Sequence, residues 1–111
     1  MEIKILPEAD DFLTSLATVL VNEGYKPTYK AAEKIVDDIL DYISRLDLVP
    51  HYRLPLSVKY HFIEYGEDLW YAFFTRKSSP HTTWYVFFTK SNHRILVKHI
   101  SNNWLEGQYI R

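Results

Sequence analysis

Histidine, arginine, lysine and tyrosine side chains crowd into one stretch of this chain, Tyr60 to Asn103, where they are interleaved with further aromatic residues. These residue types suit one chemistry in particular, the metal-free cleavage of a ribose–phosphate backbone. That reaction needs a base for the 2′-hydroxyl proton, cations to hold charge at phosphorus, and an acid for the leaving 5′-oxygen. Histidine suits either proton-transfer role near neutral pH, which makes His99 the candidate acid or base. Arg76, Lys90 and Lys98 are the candidates to meet a phosphate. Tyr85 and Phe87 are candidate platforms for an unstacked base, and Asn102 and Asn103 can hydrogen-bond a base edge or a phosphate.

Each of these residues also has a purely structural reading. His99 near the end of an apolar strand is a satisfied structural histidine, and Lys90 and Lys98 guard strand edges against aggregation. Asn102 and Asn103 satisfy backbone groups where the strand stops. His81 and His93 lie in turns, in water. Strict alternation also sends Lys98 and His99 to opposite faces of their strand, so only one of them can serve a given site. No metal or other cofactor is expected. His93 and His99 stand six apart with no cysteine or carboxylate to complete a tight set, and three glycines build no phosphate-cradling loop.

Charge is polarised along the chain. Residues 1–49 carry five Lys and Arg against ten carboxylates, net −5, whereas residues 50–111 carry eight against four, net +4, together with all five histidines. A basic, aromatic half joined to an acidic half points to a polyanionic ligand or an acidic partner on one face. Asp37, Asp38 and Asp41 read as a solvated helix face that would repel nucleic acid.

The elements that must position these residues are legible in outline. The 111 residues fit a single domain over residues 1–111. The absence of cysteine excludes disulfides and thiol chemistry and suits the cytosol. The opening carries no basic segment ahead of a long apolar stretch, and no membrane span interrupts the chain, so neither a signal peptide nor a membrane location is expected. Glu2–Leu6 alternates as a short strand stopped by Pro7. A helix follows, with Ala9, Phe12, Leu13, Leu16 and Leu20 on its apolar stripe and Gly24 as its stop. Thr28 caps a second helix, striped by Ala32, Ile35, Val36, Ile39, Ile43 and Leu46. Pro50 and Pro55 bracket a loop holding His51, Tyr52 and Arg53.

Beyond the loop the period switches to two. Strands are expected near Val58–Glu64, Leu69–Arg76, Thr83–Lys90 and Arg94–Ser101, with turns at residues 65–68, 77–81 and 91–93. The whole is an α+β sandwich, a strand and a two-helix hairpin followed by an antiparallel meander, with one helical layer on one twisted sheet. The face bearing Trp70 and Phe74, Val86 and Phe88 is assigned to the helices. The other face, with Tyr71, Phe73, Tyr85 and Phe87, is too aromatic to lie bare. Three covers are open: the tail (Trp104, Leu105, Tyr109, Ile110), a second copy of the chain, or a partner.

This order of elements resembles the RelE/ParE superfamily of toxins from bacterial type II toxin–antitoxin modules, across nearly the whole chain. Residues Ile3-Lys-Ile-Leu-Pro-Glu-Ala9-Asp-Asp-Phe12-Leu resemble the family's opening strand and first helix. Thr83 to Lys90, and Leu96 through Ile100-Ser-Asn-Asn103, resemble its closing strands in a divergent branch with an aromatic tail. The resemblance implies a cytoplasmic toxin held by a cognate antitoxin across the aromatic sheet face or the helices. It implies either ribosome-dependent mRNA cleavage or inhibition of DNA gyrase, because the superfamily is known for both. Its ribonuclease members often place an arginine early in a central strand after a tyrosine; here Trp70-Tyr-Ala-Phe-Phe74 is followed by arginine only at Arg76. On the cleavage reading, Arg76, His99 and Asn103 are the catalytic candidates, and Lys90, Lys98, Tyr85 and Phe87 hold the RNA. From a different class, the chain is a non-enzymatic binding module or homodimer that uses the aromatic sheet face. A weaker third reading is nucleic-acid binding without cleavage.

Overall fold

The structure is a computed structural model that describes residues 1–106. Its elements run β1 (Glu2–Ile5), α1 (Pro7–Asn22), α2 (Tyr29–Ile43), β2 (Tyr52–Arg53), a 3-10 helix (Leu56–Tyr65), β3 (Trp70–Arg76), β4 (Ser79–Lys90), β5 (Arg94–Asn102) and α3 (Asn103–Glu106). The five strands form one mixed sheet in the order β1-β5-β4-β3-β2. β3, β4 and β5 make the antiparallel meander, and β1 lies parallel to β5 at one edge. No helix among the described residues is long and apolar enough to cross a membrane.

Local chemistry accounts for both helices. Pro7 opens α1 where a missing N–H costs nothing, with Glu8 and Asp10 in its first turn. Gly24, at φ 78°, ends it as the Tyr25 N–H donates back to the Leu20 carbonyl at 2.9 Å. Thr28 caps α2, its Oγ1 accepting from the Ala31 N–H at 3.1 Å. The buried stripe of α2, namely Ala32, Ile35, Ile39, Tyr42 and Ile43, follows the 3.6-residue period.

The sheet is buried on both faces. Val86 and Phe88 pack under the helices, as assigned from the sequence, with Ala72 and Trp84 on the same faces. Trp70 and Phe74, assigned there too, are partly buried at the rim, and Ile95, Val97 and Ile100 of β5 complete this core. On the reverse face Phe62 joins Leu69, Tyr71, Tyr85 and Phe87 in a second core. Two-sided burial explains why residues 84–88 are all buried and show no polar alternation.

Three expectations are corrected. Val58–Glu64 is no strand but part of the 3-10 helix, and Phe62 is its one buried residue. Val58, Phe62 and Tyr65 pack on the reverse core from three- and four-residue spacings, which beat the two-residue alternation because the reverse face needed a lid. Among the described residues that lid covers much of this face, a cover the three readings from sequence did not include. Trp104 and Leu105 are exposed, and Tyr109 and Ile110 lie outside the described residues. Finally, β4 begins at Ser79 and not Thr83, so the turn after β3 shrinks to Lys77 and Ser78, with an irregularity at Thr75/Arg76.

Candidate functional site

The candidate residues separate onto the two faces of the sheet. Arg76 follows Trp70, Ala72 and Phe74 in parity and turns toward α2, where its Nε donates to Asp38 Oδ2 at 2.7 Å. The arginine side chain is only 9% exposed. Its charge is neutralised and its guanidinium packed between sheet and helix, so it does not present an open phosphate contact. Nearby, the Tyr42 hydroxyl donates to the Phe73 carbonyl at 2.9 Å and its ring stacks on Phe74 at 4.5 Å. Burial pushes the Tyr42 phenol above its ordinary value of 10.0, with the Arg45 charge pulling it partly back.

His99 lies on the reverse face. A register shift in the β4–β5 pairing sets Phe88 opposite Val97 and Phe87 opposite His99, leaving Lys98 as the extra residue of a bulge. The bulge breaks the strict alternation expected for Lys98 and His99. The imidazole stacks on Tyr65 of the 3-10 helix at 4.2 Å and 14°, and lies 5.4 Å from the Phe87 ring. Phe87 is wholly buried and stacked on Phe62 at 4.7 Å. Tyr85 is buried beside it. Neither offers the open π-face that a base platform requires. Burial raises the Tyr71 and Tyr85 phenols, the neighbouring tyrosines Tyr52 and Tyr71 adding to it in turn, so both stay protonated at neutral pH.

Asn103 is a clamp. Its Oδ1 accepts from the Thr83 N–H at 2.8 Å and its Nδ2 donates to the His81 carbonyl at 3.2 Å, tying the end of β5 to β4. Asn102 caps the final turn, accepting from the Trp104 and Leu105 N–H groups. Both asparagines therefore satisfy backbone groups, Asn103 through both its oxygen and its nitrogen.

Lys90 belongs to a cluster that sequence reasoning did not assemble. Its ammonium lies 4.0 Å from the Trp70 ring centroid, and the Arg53 guanidinium lies 4.6 Å from the same centroid. His51 Nδ1 is 2.9 Å from the Val49 carbonyl, which can only accept, so Nδ1 carries the hydrogen and Nε2 accepts from Lys90 at 2.9 Å. The signal was the loop His51-Tyr52-Arg53 between two prolines, too short to show a period before β2 was seen to pair Arg53 with Trp70.

The open part of the reverse face is aromatic. Tyr52 and Phe73 are 47% and 45% exposed and stack at 6.1 Å, with Tyr71 beside them. The site thus has a proton-transfer candidate under a lid on one face, a neutralised arginine on the other, and an uncovered aromatic pair at the β2–β3 edge. No protein-family model, curated protein or solved structure matches the chain.

Proposed function

We propose that the chain is the toxin of a RelE/ParE-type toxin–antitoxin module, working in the cytoplasm and acting by holding a protein target, of the kind DNA gyrase represents, without cutting RNA. What supports the toxin reading is the order of elements, a strand, a helical hairpin and an antiparallel meander, which is the layout the resemblance implies. The observation that carries the choice of mechanism is the separation of Arg76 and His99 by the sheet. In-line cleavage needs cation and proton carrier within reach of one phosphate, about 3 Å from each group. Here the cation is paired with Asp38 and the imidazole lies against Tyr65.

The exposed Tyr52–Phe73 pair supports a protein contact, because aromatic residues are enriched at protein interfaces relative to the rest of the surface. A cognate antitoxin would hold the toxin inactive. The test is induced expression in a bacterial host beside Phe73→Ser and Tyr52→Ser. The reading expects arrest with intact transcripts and loss of DNA supercoiling, relieved by either substitution. Arrest that persists in both variants, or transcripts cut at defined sites, would count against it.

A further inference from the structure

The outer edge of β1 carries an inference that is independent of the proposed function. β1 is outermost in the sheet and pairs, among the described residues, with β5 alone. The Glu2 N–H donates to the His93 carbonyl and the Leu6 N–H to the Val97 carbonyl, each at 3.0 Å. By alternation Ile3 and Ile5 direct their N–H and C=O groups away from β5. Such an edge is a template for another strand unless something blocks it. Beside it, Met1, Ile3, Ile5, Leu40, Ile43 and Ser44 line an open groove of about 330 Å³ between β1 and α2.

We propose that this edge takes β1 of a second copy of the chain, paired antiparallel about a two-fold axis at Ile3. In that register Glu2 opposes the partner's Lys4, Ile3 the partner's Ile3, Lys4 the partner's Glu2, and Ile5 the partner's Met1. The outward groups of Ile3 exchange both hydrogen bonds across the axis, as in any hydrogen-bonded antiparallel pair. Opposite charges meet twice on the outer face, and apolar side chains meet on the helix face, so the surface is complementary to itself as a two-fold contact requires.

Competing registers fail. A one-residue slip sets an outward-facing residue against an inward-facing one. An axis at Glu2 or at Lys4 sets that residue against its own copy, like charge on like charge, and the axis at Lys4 also sets Glu2 against the partner's Leu6. An axis at Ile5 sets Lys4 against the partner's Leu6 and Ile3 against the partner's Pro7, which has no N–H to give. Glu2 already bridges Arg94 through Oε1 at 2.7 Å, and its second oxygen is the one that meets the partner's Lys4. The two-fold axis stands normal to the sheet, so both helical layers lie on one side and the two grooves join.

Sedimentation equilibrium of the full chain tests this. E2K alone and K4E alone set like charges against each other at both cross-strand pairs, and mixing the two variants restores opposite charges. The native chain is expected to be a dimer, each variant to raise its dissociation constant about tenfold or more, and the equimolar mixture to recover a mixed dimer. I3P removes the outward N–H, which an edge strand tolerates, together with part of the side chain that Ile3 packs on the helix-side core. It is expected to give a less stable but folded monomer by circular dichroism, with E2K and K4E as the variants that leave that packing intact. A native chain that stays monomeric over the accessible concentration range overturns the proposal. So does a dimer that E2K and K4E leave unchanged, or a mixture no tighter than either variant alone.

Discussion

At the scale of single residues, Arg76 is held in a structural ion pair. Its guanidinium and the Asp38 carboxylate form a half-buried pair that joins β3 to α2. Charge-assisted hydrogen bonds in such settings contribute about 1–3 kcal/mol, less where one partner is solvated as Asp38 is. Arg76→Ala is therefore expected to lower stability by about 1–2 kcal/mol in urea denaturation, and Asp38→Asn by a similar amount. The double variant should cost less than the sum, because both changes remove one interaction. The helix-side position of Arg76 was legible, since it shares parity with Trp70, Ala72 and Phe74. That Asp38 meets it was not, because the contact spans 38 residues of sequence.

His99 was not legible for a different reason. Strict alternation puts residues 95, 97 and 99 on the helix face, and Ile95 and Val97 are indeed there. The bulge at Lys98 then switches parity, sends His99 to the reverse face and returns Ile100 to the helix-side core. Nothing in Val-Lys-His announces a bulge.

The buried phenols give a pH prediction at the same scale. Tyr42, Tyr71 and Tyr85 have folded values raised above 10.0 by burial. An unfolded chain loses these protons first, so the stabilisation is complete below about pH 10 and is lost as pH climbs through the folded values. Denaturation midpoints should be insensitive to these groups near neutrality and fall at alkaline pH. Replacing Tyr71 and Tyr85 by Phe should flatten that fall, and ultraviolet titration of the phenolate band should show delayed ionisation in the native chain.

At the scale of elements, the 3-10 helix over Leu56–Tyr65 decides what the sheet can do. Its anchor is Phe62, 1% exposed and stacked on Phe87. Phe62→Ala is expected to cost about 3–5 kcal/mol, the range for deleting a buried aromatic ring, and to expose Phe87 to hydrophobic dye. A small loss of stability without dye binding would mean that the lid is not anchored there.

The two helices were readable because stripe, cap and stop agree in each, as with Thr28 ahead of Ala32, Ile35 and Ile39. The lid was not, since Val58, Tyr60 and Phe62 fit a strand while Val58, Phe62 and Tyr65 fit a helix within the same few residues. Tertiary demand settled it: the aromatic reverse face had to be covered, and a strand at the sheet edge would have left it bare. At the end of the lid, Gly66 takes φ 128° and ψ 161°, a conformation essentially confined to glycine.

At the scale of the whole molecule, the charge division survives folding in a particular form. The acidic hairpin forms the layer on one side of the sheet, and its Asp38 pairs with Arg76, which turns toward it. At the β2–β3–β4 end two further cations, Arg53 and Lys90, sit against Trp70. On the reverse face the Tyr52–Phe73 pair stays open. A surface of this kind suits contact with a macromolecule better than turnover of a phosphodiester, because its aromatic surface is exposed while its proton carrier and strongest cation are engaged elsewhere.

The most direct test of that claim is tight induction of the chain alone in a bacterial host, with growth, transcript ends and DNA supercoiling followed together for the native sequence and for His99→Gln. The account predicts arrest with intact transcripts and relaxed DNA, and the same arrest for His99→Gln. Normal growth with soluble protein would contradict the toxin reading, and cleaved transcripts that disappear in His99→Gln would contradict the mechanism.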